Sequence, residues 1–202
     1  MDEYAIIGAG GIGSHFCRIL SQLLRPENKQ LGEDVNAESF VVYDFDVVEP
    51  KNTRWQDYTM EEIGTPKAML MTLRYGFHSR VKRFDMSNLG QHDVYLIAAD
   101  NARVRRQVFD HVAQAPDKAF VDMRAEGDVY GVFTHTCPHA TLLASLGADA
   151  DSAVGFSCQR QADQESNRIQ LGNQAVAVMG MDIFLRHYRK LPYPASLVRP
   201  II

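Results

Sequence analysis

The chain has 202 residues, which suits one globular domain spanning 1–202, and its 46% hydrophobic and 23% charged residues are ordinary for a soluble protein with a sizeable core. A net charge of −4 gives no electrostatic case for nucleic acid or an anionic membrane, and no apolar run approaches the ~20 residues that a spanning helix needs. Three cysteines, Cys17, Cys137 and Cys158, leave an odd count with no disulfide framework, and residues 1–3 lack the features of a signal peptide, so a cytoplasmic location is expected.

The first apolar run, Tyr4 to Ile7, reads as a strand and is followed by Gly8-x-Gly10-Gly11-x-Gly13 at the start of a helix over Gly11 to Leu24. That spacing fits a strand-to-helix turn whose backbone N–H groups and helix N-terminus meet a phosphate. The polar stretch Arg25 to Glu38 reads as an exposed loop, and Phe40 to Tyr43 as the second strand. Helices are expected near Pro66 to Tyr75 and Ala102 to Gln114, and strands at Val94 to Ala98 and Ala119 to Val121, with Arg80 to Phe84 as a further short strand. This alternation predicts an α/β fold, a doubly wound and mostly parallel sheet of Rossmann-like type. Val129 to Thr134 reads as a strand of a mixed C-terminal portion, Gly147 to Asn167 as a long irregular segment, and Gln174 to Tyr188 as a largely buried helix. The Pro-containing tail after it cannot continue that helix.

The glycine turn alone does not separate a nicotinamide enzyme, a methyltransferase and an ATP-using adenylyltransferase. Residues further along narrow the choice. The second strand runs into Asp44-Phe45-Asp46, where a doubly wound fold presents a carboxylate to ribose hydroxyls, and Asp44 is the natural ribose ligand. Asn52-Thr53-Arg54-Trp55-Gln56 and Ile63-Gly64-Thr65-Pro66-Lys67 then bring two cations and amides, more phosphate chemistry than a dinucleotide requires. The fourth strand ends in Asp100-Asn101, at the carboxyl edge where open α/β sheets bind ligands, and a carboxylate beside polyphosphate suits Mg²⁺.

Taken together, GxGGIGS, DFDxVExxN, IGxPKA and a strand ending in Asp-Asn resemble the ThiF/MoeB/HesA family, the nucleotide-binding domain shared with ubiquitin-activating enzymes. The resemblance covers about residues 4 to 125, with a weaker likeness from Ser157 through the final helix. It implies ATP and Mg²⁺ as cofactors, a homodimer, and adenylation of the C-terminal carboxylate of a small ubiquitin-like or sulfur-carrier protein ending in Gly-Gly, or of a peptide. By motif it implies a phosphate turn of Gly8, Gly10, Gly11 and Gly13, ribose binding by Asp44, phosphate contacts from Asn52 and Lys67, and metal binding by Asp100. Attack of a carboxylate on the α-phosphate brings two anions together, so cations must neutralise charge there; Arg54 and Lys67 are the suppliers. The family pattern N-L-x-R-Q reads N-T-R-W-Q here, which sets Arg54 one place early and puts Trp55 where arginine is expected. The paired CxxC motifs of many members are absent, and no residue before Tyr4 matches their N-terminal arginine.

Several readings stay open on the residues themselves. A nucleotide-binding module without catalysis and an NAD-dependent oxidoreductase remain the alternatives to an adenylyltransferase. Asp100-Asn101 serves equally as a helix cap. Lys67 reads either as a phosphate ligand or as surface charge at a helix start. Arg103, Arg105 and Arg106 read as a solvated helix face, Asp46 and Glu49 as solvated loop carboxylates, and Cys17 as a small core residue. Cys158 is either an idle thiol or a nucleophile that accepts the activated acyl group as a thioester. His135, Cys137 and His139 alternate, so on a strand they face one side and with Cys158 make a four-ligand zinc set; the competing reading is packed polar residues.

Overall fold

Four consecutive apolar residues with no polar alternation need cover on both faces, which is the condition of a central parallel strand. Tyr4–Ile7 (β1) meets it, with every residue buried. In the computed structural model, which describes residues 3–28, 31–32, 35–126, 129–147 and 171–200, β1 pairs in parallel with Phe40–Tyr43 (β2) on one side and Val94–Ile97 (β4) on the other. Beyond these lie His78–Arg80 (β3), parallel to β2, and Ala119–Glu126 (β5), parallel to β4. Val129–Thr134 (β6) and Ser196–Pro200 (β7) add antiparallel strands, so the order is β3-β2-β1-β4-β5-β6-β7. The sheet is the doubly wound, mostly parallel one expected, with a mixed C-terminal portion.

Helices cover both faces. Gly11–Leu23 (α1) buries Ile12, Phe16, Cys17 and Leu20, a stripe at helical spacing, and it packs with Lys67–Tyr75 (α2) and Leu171–Tyr188 (α5) on one face. Under them Tyr4 stacks on Phe40 at 4.7 Å and meets the Phe184 ring edge-on at 5.4 Å. Ala102–Gln114 (α3) and the short His139–Ala144 (α4) cover the other face through Val108, Phe109 and Leu142. No helix among the described residues is long and apolar enough to cross a membrane.

Several expectations need correction. The short third strand lies at His78–Arg80 rather than Arg80 to Phe84; Phe84 instead turns inward and packs edge-on against Tyr43 at 5.1 Å. β5 continues five residues past Val121, because its later residues gain an antiparallel partner in β6. The tail after Tyr188 returns to the sheet as β7, and α5 begins three residues before Gln174. Arg105 is buried and pairs with the fully buried Asp122 of β5, Nε to Oδ1 at 2.9 Å, so it does not belong to a solvated face. The segment expected to be irregular, Gly147 to Asn167, lies outside the described residues from 148 onward.

Candidate functional site

The register sets the site. Ile7 is level with both Tyr43 and Ile97, so β1, β2 and β4 end side by side and release Gly8, Asp44 and Ala98 at one edge. β1 connects forward to β2 on one flank while β4 lies on the other, and this reversal is the switch point where open α/β sheets bind ligands.

The glycines at this edge answer to separate constraints. Gly8 holds φ +95°, and a Cβ there would meet the Ala98 and Ala99 backbone at 3.0 Å. A Cβ on Gly13 would fall 1.9 Å from the Gly8 carbonyl oxygen, so α1 can pack on the end of β1 only without one. A Cβ on Gly10, by contrast, would meet no atom of the described residues within 4 Å. The turn is fastened from outside: the Asp44 Oδ2 accepts from the Ala9 N–H at 2.7 Å, and the Tyr58 hydroxyl donates to the Ala9 carbonyl at 2.5 Å.

Asp44 is buried, and its Oδ1 accepts from the Asp46 N–H at 2.8 Å. Burial pushes its carboxyl pKa up; the Ala9 and Asp46 N–H groups and nearby Lys67 oppose that push. The Asp44–Val48 segment is laced to Gly64–Lys67. The Lys67 N–H donates to the Asp46 carbonyl at 2.9 Å and the Val48 N–H to Thr65 at 2.9 Å, with a bridge between Val47 and Pro66. This lacing delivers the Lys67 side chain, 6% exposed, to the acidic loop, with Nζ 3.5 Å from Asp46 Oδ2. Lys67 is therefore no surface charge, whereas Asp46 and Glu49 are exposed as expected.

Asn52 is also buried, but its Oδ1 accepts from the Glu49 N–H at 2.8 Å and closes the 3-10 turn Pro50–Arg54. The chain leaving that turn packs on α1. The Ser14 Oγ accepts from the Asp57 N–H at 3.1 Å, and the His15 Nε2 lies 3.4 Å from the Trp55 carbonyl oxygen. Trp55 is half-buried, and Arg54 before it is exposed. Across the turn, the Asn101 side chain accepts from the Val104 N–H at 3.2 Å and caps α3, which leaves the exposed Asp100 outside the cap. Among the described residues no three metal-ligating side chains gather.

Three residues at this edge carried no signal as site residues in the sequence: Tyr58, His15 and Asn173. Tyr58 acts through a contact 49 positions away. Asn173, buried in the first turn of α5 against Gly11, sits in sequence beside a second amide, Gln174, and nothing there marks it out. Cys158 lies outside the described residues. The proposed zinc set does not form from the rest: β6 ends at Thr134, so alternation stops there. His135 packs edge-on against His187 at 5.6 Å, Cys137 is buried in the core under α3 and α4, and His139 Nε2 bonds Asp110 at 2.9 Å.

The edge lies at the switch point of a doubly wound, Rossmann-like sheet, and comparison with solved structures gives the same fold. Escherichia coli MccB with ATP superposes with a TM-score of 0.65 at 14% identity, covering 99% of this chain and 63% of that one. PaaA gives 0.65 at 11% identity over 100% of this chain and 61% of that one. The E. coli tRNA N6-threonylcarbamoyladenosine dehydratase, TcdA, gives 0.65 at 14% identity over 94% and 86%. The chain spans about three fifths of the MccB and PaaA chains. No family model and no curated protein matches it in sequence.

Proposed function

We propose that this chain is an ATP-dependent adenylyltransferase. Its substrate is the C-terminal carboxylate of a small ubiquitin-like or sulfur-carrier protein ending in Gly-Gly, or of a peptide, and it works as a homodimer with Mg²⁺. The observation that carries this reading is the buried ammonium of Lys67 beside Asp44 and Asp46, one loop away from the glycine turn. An ammonium kept from water needs anions around it, and a triphosphate supplies more than two loop carboxylates do. The solution of MccB with ATP, and of MccB with AMPCPP together with MccA, supports a nucleotide and a second molecule on this fold.

ATP supplies an electrophilic α-phosphorus with pyrophosphate as leaving group. The substrate carboxylate attacks that phosphorus, a mixed anhydride forms, and pyrophosphate departs. Lys67 and Arg54 neutralise the charge that gathers there, and Asn52 approaches the phosphates. Gly8, Gly10, Gly11 and Gly13 let backbone and the α1 N-terminus come close to phosphate. Asp44 accepts from the ribose hydroxyls, and Asp100 is the residue that would hold Mg²⁺. Cys158, as acceptor of the acyl group, would release AMP and form a thioester.

Exchange of labelled pyrophosphate into ATP tests the reading. Synthetic peptides ending in Gly-Gly with a free carboxylate are expected to support exchange, and the same peptides amidated at the C-terminus are not. Exchange that is indifferent to amidation, or absent with all free-carboxylate peptides and carrier proteins while ATP binds, favours a nucleotide-binding module without catalysis. The displaced Arg54 is the observation behind that second reading.

A further inference from the structure

Asn173 is 1% exposed, and among the described residues neither its Nδ2 nor its Oδ1 has a hydrogen-bond partner. A buried amide without partners costs free energy that an apolar side chain of similar size would not, so such a group marks a place where a partner is missing. It sits against the phosphate turn. A Cβ on Gly11 would lie 2.5 Å from its Nδ2 and 3.1 Å from its Cγ, so the second glycine of Gly10-Gly11 leaves room for this amide and not for strain relief.

The two helices bring it there. α1 and α5 run side by side in the same direction: Gly11 meets Asn173 at their starts, and past the end of α1 the Gly32 N–H donates to the Tyr188 hydroxyl at 2.9 Å at the end of α5. Both N-termini therefore reach the carboxyl edge of the sheet, and their partial positive charges add at the same spot. Lys67 stands near Asp44, whose Oδ2 accepts from the Ala9 N–H of the same turn. Ligand chemistry that satisfies a hydrogen-bond donor between two helix N-termini is anionic oxygen.

We propose that Asn173 is a phosphate-binding residue of the turn, its Nδ2–H donating to an oxygen of the nucleotide's polyphosphate. This rests on the ATP reading above and adds to it a ligand from the C-terminal helix, beyond the stretch in which the site motifs lie. Gly11 and Asn173 then work as a pair, the missing side chain of one admitting the amide of the other.

The test compares Asn173→Leu and Asn173→Ala with the parent protein in calorimetric titrations with ATP–Mg²⁺ and with adenosine, and in thermal unfolding without ligand. Asn173→Leu is expected to weaken ATP roughly 10- to 100-fold, leave adenosine affinity unchanged, and raise the Tm of the free protein because an unpaired buried amide is gone. Asn173→Ala, which cannot overpack, should weaken ATP by the same factor and covers the case in which the leucine variant does not fold. Unchanged ATP affinity in both variants, or equal loss for ATP and adenosine, overturns the assignment while leaving the ATP reading intact. A parent protein that binds neither ATP nor adenosine overturns both.

Discussion

Lys67 and Asp44 would carry most of the chemistry proposed for this site, and each answers to a separate measurement. Replacing Lys67 by Gln removes the buried cation but keeps a side chain of similar reach. Pyrophosphate exchange should fall about 10²- to 10³-fold, the cost of losing one preorganised charge-stabilising group, and by more than ATP binding weakens. An exchange rate within a factor of two of the parent's would remove Lys67 from the reaction. Asp44→Ala should cost about 1–3 kcal/mol of ATP affinity, since a charged acceptor is lost from the ribose. The same change deprives the Ala9 and Asp46 N–H groups of their acceptor, so it should also lower the Tm, and an unchanged dissociation constant for ATP would mean that Asp44 serves the turn alone. At this scale the sequence was informative about placement, since Gly8, Asp44 and Lys67, singled out by motif, meet at one edge. It was silent on Tyr58 and Asn173, whose contacts come from segments distant along the chain.

The meeting of β1 with α1 tolerates no side chain at Gly13, where a Cβ would fall 1.9 Å from the Gly8 oxygen. Gly13→Ala is therefore expected to destabilise the protein by about 3 kcal/mol or more through backbone displacement, read as a lowered urea midpoint; an unchanged midpoint would contradict the packing described. The junction of α3 with β5 depends on Asp122, fully buried between Arg105 and Arg124, with Nε–Oδ distances of 2.9 and 2.6 Å. Asp122→Ala takes this anion from a buried guanidinium and should cost about 3–5 kcal/mol, whereas Asp182→Ala, at an exposed pair on α5, should cost under about 1 kcal/mol. Equal effects in the two variants would contradict that difference in burial. Arg105 shows why sequence periodicity misjudged this helix face: three arginines in four positions look solvated until a carboxylate from the neighbouring strand answers one of them. β7 escaped notice for a related reason. Its partner is β6, more than 60 positions earlier, and Leu197 to Arg199 carries no apolar alternation of its own. The parallel core strands were legible because burial on both faces writes continuous apolar runs.

Over the whole molecule, acid should be destabilising through histidines kept neutral by burial. His15 and His92 are both buried, and burial lowers the pKa of each below the ordinary value. Around His15 stand Asp57 and Arg18; around His92 stand Glu3, Asp93, Lys118 and Arg80, with the Tyr43 hydroxyl on Nε2 at 2.8 Å. The unfolded chain takes up these protons first, at pH near 6.5. Stability is therefore full above that value and falls as pH drops from there toward the lowered folded-state pKa values. Urea unfolding at pH 7.5 and 5.5 should show the loss, and His92→Gln should shrink it; an identical pH dependence in the variant would contradict the assignment. The central claim, that the edge formed by β1, β2 and β4 is a triphosphate site, is tested most directly by calorimetric titration of the parent protein with ATP–Mg²⁺ and, separately, with NADH. ATP–Mg²⁺ should bind at one site per chain, more tightly than NADH and more tightly than ATP without the metal. Tighter binding of NADH, or no heat with ATP at any Mg²⁺ concentration, would contradict the account.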